Sequence, residues 1–421
     1  MNRDGDFLRR ALIAGFFGLA IGTATPENAR TQETDGGLPG EWLSRYAGAR
    51  TMGFGGAFVA TADEPLGMLW NPAGLSTMYQ NEVHFETASL FEDVAIHGFS
   101  FAMPARRLPS VGLTILSLRS GEFEQTNDLN EPQGIFRESG MAFIFSGSKA
   151  VSERASVGAN VRVVRQTIGE FDGTGVGGDI GALYNLTSSL KLGLSVLNLG
   201  GPNLTLRGTQ EAFPIEVRGG VALSVLSGHG LVSLELDHRQ DGGTTPHAGA
   251  EWWVHPNMAL RMGYYDDAPA GGFSYQFLPD ARFDYAASDH ELGVTHRVGI
   301  SYKFGGFFAS SEADPPAFSP IGENSVTRFD LKAHTKAAAE SWTLEIVNKS
   351  KHAVRQFSGR GAPPSHVMWD GKDESGMPLP DGHYRYQLVV VDNEGRTVTG
   401  HDRIVEITTS GPQGSVPVVI E

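Results

Sequence analysis

The sequence contains no cysteine. That absence removes disulfide scaffolds, thiolate zinc sites, iron–sulfur clusters and thiol nucleophiles together. Basic residues are scarce as well: 33 Lys and Arg against 48 Asp and Glu leave a net charge of −15. Such a chain has no footprint for gripping a phosphate backbone, which excludes nucleic acid as a partner. Long hydrophobic runs are also missing, because no segment reaches the roughly 20 apolar residues that a membrane helix needs. By hydropathy the mature chain looks soluble and secreted, yet hydropathy does not register a barrel, whose alternating strands average out. What is plentiful is glycine, 54 of 421 residues, about twice the usual share. It follows no collagen period, and aromatics at 10% are too many for a disordered chain. Glycine at this density weakens helices and leaves mostly β structure with crowded backbones. The length suggests two or three domains.

Arg9 and Arg10 precede an apolar run of about a dozen residues ending at Gly22, with Gly22 and Ala24 at the small-residue positions of a cleavage site. This pattern predicts a secretory signal peptide over 1–24, the alternative being a buried core helix.

Between Glu82 and Phe304 a two-residue beat dominates. Val294, Val298, Ile300, Tyr302 and Phe304 share one face; Thr295, Arg297, Gly299, Ser301 and Lys303 share the other. Leu190, Leu192, Leu194 and Val196 oppose Lys191, Gly193 and Ser195, and Met258, Leu260, Met262 and Tyr264 oppose Ala259, Arg261 and Gly263. A soluble sandwich alternates too, but its strands usually run about five or six residues. These run about ten, the length of a tilted membrane strand. Long polar connections at 119–138, 166–174 and 200–213 alternate with tight ones such as 105–109, 149–154 and 255–257, as a barrel with a turn end and a loop end requires. The count comes to about fourteen strands, with both barrel ends on the periplasmic side. Trp252, Tyr264, Tyr275, Tyr285, Tyr302 and Phe304 lie near strand ends, where aromatic girdles sit. A soluble all-β repeat or propeller is the alternative architecture.

The segment from Gly48 to Leu75 is glycine-rich and too compact for a loop, and Asn71–Pro72 supplies a turn in which asparagine caps its own backbone. It suits the inside of a barrel. Here the chain resembles the PorV and PorQ type outer-membrane proteins, relatives of the FadL transporters. GARTMGFGGAFVATADEPLGMLWNPAGLS and the closing strand THRVGISYKF carry the likeness, over about 48–304. The resemblance implies a fourteen-stranded barrel preceded by an N-terminal segment and hatch over 25–80. The hatch motif is Gly53, Gly55, Gly56, Trp70, Asn71, Pro72, Ala73 and Gly74. FadL relatives pass hydrophobic compounds through the barrel wall, whereas PorV proteins act in type IX secretion as a shuttle for cargo.

After Phe304, residues 305–324 show no clear alternation and carry Asp314-Pro-Pro, which reads as a linker. Short strands with turn signals return over 325–421 and fit a small sandwich. The stretch from Trp369 to Tyr386, with its glycine and proline turn and Asp381-Gly-His-Tyr start, resembles the FlgD immunoglobulin-like module. The last barrel strand descends, so this module is expected in the periplasm.

Several motifs that look chemical are discounted. Gly173-Thr-Gly-Val-Gly-Gly178 satisfies the dinucleotide fingerprint, but a strand pattern follows it where a helix is needed. Asp370, Asp373 and Glu374 lack the spacing of a calcium loop. The histidines show no metal pattern, and neither a cofactor nor a catalytic constellation is expected. Charges on the inward face remain: Arg162, Glu216, Arg218, Glu235, Asp237, Arg239, Glu251, Arg261, Arg282, Asp284 and Arg297. Either they pair across the lumen and hold the hatch through Arg50, Asp63 and Glu64, or some line a path for a polar or amphipathic ligand; pairing is the default for buried charge. The reading is all-β: a transmembrane barrel over 81–304 in contact with outer-membrane lipid, then a periplasmic module. Its expected role is non-enzymatic, a PorV-type shuttle whose loops 119–138 and 200–213 meet secreted proteins or secretion components. The alternative is a FadL-like transporter of hydrophobic or amphipathic ligands.

Overall fold

The computed structural model describes residues 40–43, 48–91, 93–105, 108–127, 129–206, 209–240, 243–265, 268–290, 293–321 and 325–409. The signal peptide expected at 1–24 lies outside the described residues.

Fourteen strands close into one antiparallel barrel. In chain order they are β1 (Asn81–Ser89), β2 (Ala95–Met103), β3 (Ser110–Arg119), β4 (Glu138–Ala150), β5 (Ala155–Ile168), β6 (Phe171–Asn185), β7 (Leu190–Leu199), β8 (Glu216–Val225), β9 (Gly230–Arg239), β10 (Gly243–His255), β11 (Met258–Tyr265), β12 (Ala268–Leu278), β13 (Ala281–Ser288) and β14 (Thr295–Phe304). β1 closes on β14, with Asn81 opposite Phe304 and Ser89 opposite His296. The alternation sorts chemistry by face, inverted relative to a soluble protein. Val298, Ile300, Tyr302 and Phe304 of β14 are exposed on the outer face, while Thr295, Arg297 and Ser301 are buried inside. Trp252, Tyr264 and Tyr275 are likewise exposed outside, as membrane-interface aromatics are.

One end of the barrel carries tight turns, such as the two-residue connections between β10 and β11 and between β12 and β13. The other carries a hairpin of Phe123–Thr126 with Pro132–Phe136 and the long connection between β7 and β8. The polar stretch 166–174 is not the long loop that its composition suggests. β5 and β6 continue through it to a two-residue turn, with Ile168 opposite Phe171. Arg165 and Asp172 form an exposed ion pair at 3.3 Å there, so the polar composition marks a strand rising past the apolar band. Gly173, Gly175 and Gly177 of the fingerprint-like motif lie in β6, which disposes of a nucleotide loop.

A two-sheet sandwich follows the barrel. One sheet is Phe308–Asp314, Thr327–His334 and His366–Trp369; the other includes Ala339–Val347, Ala353–Arg360, Gly382–Asp392 and Arg403–Ile407. Trp369 is its core anchor, edge-on to Phe318 and Tyr384 with its Nε1 donating to the Lys372 carbonyl at 2.9 Å. The stretch expected to be linker therefore holds the sandwich's first strand. Its inward residues, Ala309, Ser311 and Ala313, are too small to show as hydrophobic alternation.

Candidate functional site: the hatch, the wall that grips it and a break in that wall

The lumen is filled by residues 48–78. A one-turn helix (Ala49–Gly53) and two 3-10 segments (Pro65–Leu69 and Pro72–Thr77) carry almost wholly buried side chains. Proline at the first position of both 3-10 segments fixes φ where an N–H is dispensable. Asn71 does three jobs: its Oδ1 accepts from the Ala73 N–H at 3.0 Å, and its Nδ2 donates to the carbonyls of Val59 (2.9 Å) and Ala182 (3.0 Å). It thus caps the last 3-10 turn, folds the hatch on itself and ties it to β6. Asn71→Ala is expected to cost about 1–3 kcal/mol by leaving these groups unmet, read as a lower urea midpoint and faster protease cleavage in the hatch.

The wall holds the hatch backbone by side chains that point inward. Glu86 on β1 accepts from the Gly48 and Ala49 N–H groups at the start of the one-turn helix, and Glu235 on β9 accepts from Val59 N–H at 2.6 Å. Asn160 on β5 donates to the Met68 carbonyl at 2.9 Å, and Ser148 on β4 to Ala73 at 2.9 Å. Between these bonds, glycines let backbone meet backbone. Gly55 has φ +69°, and a Cβ on it would lie 2.5 Å from the Tyr264 nitrogen; a Cβ on Gly263 would collide with Gly55 itself. Gly53 packs on Ala286 and Gly272 of the wall and Gly56 on the Tyr265 ring, while Gly74 packs within the hatch against the Ala62 carbonyl.

The inward charges fall into linked clusters. Arg50 from the hatch pairs with Glu251 (3.0 Å), Asp63 and Glu64 (3.5 Å), while Glu251 also takes Arg261 at 2.6 Å. Arg282 joins Glu64 (2.9 Å) to Asp284 (2.8 Å), and Asp284 meets Arg261 at 3.4 Å. A polar cavity of about 300 Å³ adjoins this cluster, lined by Arg50, Asp63, Lys191 and Lys303 among others. A second cluster sets Arg218 against Glu216 (2.9 Å) and Asp237 (3.3 Å), with His247 on Asp237 and the Arg218 guanidinium 5.5 Å from the ring of buried Trp70. Arg162 pairs with Asp179 at 2.6 Å and donates to Asn198 at 3.2 Å. Arg297 donates to Ser288 and Thr295. Arg239 lies half-buried at the end of β9. Glu86, Asn160 and Ser148 were not singled out from the sequence; each sits on the inward beat of its strand, which was the available signal.

Above the hatch the lumen turns apolar. A buried cluster runs from Phe54, Phe58 and Trp70 up to Leu116, Ile144 and Val164, where Trp42, Leu204 and Phe213 fill it. The last two come from the β7–β8 connection, which folds into the lumen and does not project as a docking loop. Its hairpin, Asn203–Leu206 with Thr209–Ala212, lies on the inner face of β6: a Cβ on Gly175 would lie 2.8 Å from Pro202, and one on Gly173 would lie 3.4 Å from the Leu204 Cβ. The wall breaks at the same place. β6 pairs with β7 only from Gly178 to Asn185, through a register shift, whereas its other edge follows β5 along its whole length. Among the described residues, no barrel strand pairs with Asp172–Gly177 on the β7 side. The outer face beside the break carries the exposed apolar side chains Val161, Val176 and Ile180.

Comparison with known proteins bears on both parts of the chain. The family model described as "FlgD Ig-like domain" matches residues 318–394. No curated protein matches the sequence. Among solved structures, the "TodX monoaromatic hydrocarbon channel deltaS2 mutant" is similar at 14% identity, covering 62% of this chain and 100% of that one, with a TM-score of 0.51. The toluene transporter TodX of Pseudomonas putida matches at 15% identity over 61% and 98%, with a TM-score of 0.49. A FadL homologue of Pseudomonas aeruginosa matches at 12% over 62% and 99%, at 0.45. The barrel thus shares its fold with the TodX channel, and residues 318–394 match an immunoglobulin-like module of the FlgD type.

Proposed function

We propose that this protein is a non-enzymatic outer-membrane channel for small apolar molecules, which pass between the lumen and the membrane through the break beside β6. The observation that carries this reading is the coincidence of three features at one place: the edge of Gly175–Gly177, which no barrel strand pairs on the β7 side, the apolar outer surface next to it, and the apolar cluster directly behind it. Trp42, Leu204 and Phe213 occupy the space that a ligand of that character would take, so the arrangement is a closed state stoppered by the protein's own side chains. Apolar surface removed from water is worth roughly 25 cal/mol per Å², and a hydrocarbon entering the cluster can replace those contacts one for one. The fold likeness to a hydrocarbon channel supports the same class. The shuttle reading expected two projecting loops, and one of them is folded inward. In this reading the tight-turn end and the C-terminal module face the periplasm, and the barrel's outer face contacts outer-membrane lipid. The paired lumen charges hold the hatch in place and do not line a path.

The test uses the absence of cysteine. The Cβ positions of residues 173 and 204, 3.4 Å apart, are close to disulfide spacing. The double variant Gly173→Cys, Leu204→Cys is expected to take up labelled toluene in cells or vesicles when reduced and to lose about tenfold when oxidised. Equal uptake in both states overturns the lateral path. Failure of the unmodified protein to raise uptake above empty vesicles overturns the channel reading altogether.

A further inference from the structure

The hatch ends where the C-terminal module begins to cover the barrel. Its last 3-10 turn, Pro72–Thr77, opens onto a vestibule of about 500 Å³, with Ser76, Thr77 and Tyr79 on the barrel side and Lys336, Glu394 and Arg396 on the module side. Lys336 lies in the short loop between Thr327–His334 and Ala339–Val347 and is only 6% exposed. Its Nζ donates to the Ser76 carbonyl at 2.7 Å and stands 4.7 Å from the Tyr79 ring and 5.6 Å from that of Phe307. Ser76 is the penultimate residue of the hatch's last turn, so this deeply inserted side chain of the module ends on the hatch and not on the wall.

The loop that presents Lys336 is itself braced. Asp392 accepts from Ala337 N–H at 3.1 Å and from the Arg396 guanidinium at 3.0 Å, so the nearest acid is engaged elsewhere. The ammonium is left with a carbonyl and two ring faces. Burial, reinforced by the Arg396 charge and opposed by Asp392, pulls Lys336 down to about 8. A cation held this way, away from water and without a carboxylate of its own, belongs to a contact that can be left again.

We infer that the C-terminal module is a releasable latch on the hatch, coupled to it through Lys336, so that undocking of the module and loosening of the hatch's last turn are one event. The module also touches the barrel rim at a separate point, His401 to Asp280 at 3.2 Å, which offers a place to fix it without touching Lys336.

The experiment cross-links the full-length variant Asp280→Cys, His401→Cys with a short bis-maleimide and follows amide exchange at residues 72–79. Cross-linking is expected to slow that exchange about tenfold, the factor corresponding to one charge-assisted hydrogen bond. With Lys336→Ala added, the cross-link is expected to make no difference. Unchanged exchange in the first variant overturns the latch. Full slowing that persists without the lysine overturns its assignment to Lys336. Because exchange is read and not uptake, the latch stands or falls separately from the transport of apolar molecules.

Discussion

Replacing Arg50 with methionine is expected to unseat the hatch while leaving a barrel. The arginine is the only hatch residue that meets wall and hatch acids together, with Glu251, Asp63 and Glu64 all converging on it among the described residues. Removing one partner from a buried charge cluster leaves the others uncompensated, and the cost is about 3–5 kcal/mol. Glu251 keeps Arg261, and Glu64 keeps Arg282. The loss should therefore fall on the hatch and not on the strands. In urea titrations with vesicle-embedded protein, the expected result is a hatch transition separated from barrel unfolding and shifted to lower denaturant. A single unshifted transition would show that Arg50 does not anchor the hatch.

The second large effect comes from adding matter. Gly263→Leu places a branched side chain where the backbone of Gly55 already sits. Neither chain can yield, because the residue on the hatch side is a left-handed glycine and the one on the wall side is paired in β11 with β10 and β12. Overpacking usually costs about 1–3 kcal/mol, and this site belongs at the upper end. Residues 48–60 should become open to protease in the folded barrel. If they remain protected at the unmodified rate, backbone contact with β11 does not hold the hatch.

Much of this arrangement is legible in the sequence, for reasons that differ from element to element. The barrel shows because a membrane face demands apolar residues at every second position for about ten residues, as β14 displays from Val298 to Phe304. The hatch shows because only glycine allows backbones so close, and the ion partners Arg50 and Glu64 show because buried charge requires pairing. Other features are hidden because their physics leaves no pattern. Where β5 and β6 rise beyond the membrane, polar residues cover both faces, and strand looks like loop. In Phe308–Asp314 the inward side chains are alanine and serine. The inward course of the β7–β8 connection depends on the floor of Gly173, Gly175 and Gly177 on which Pro202 and Leu204 rest, a contact that no local pattern in the connection announces. Lys336 on Ser76 is invisible for the plainest reason, since nothing local links positions so far apart along the chain.

The seam between β1 and β14 joins the two strands most distant in the barrel's sequence. Contacts of this kind are the slowest to form, because the whole intervening chain must be ordered first. Just beyond the seam, the Phe307 N–H donates to the Tyr79 carbonyl at 2.6 Å, so the chain entering the barrel and the chain leaving it are stitched together at once. The Lys336 site draws on both sides of that stitch, Tyr79 from one and Phe307 from the other. It therefore does not exist until the cylinder has closed. Assembly order follows: the Lys336 contact of the C-terminal module can form only on a finished barrel.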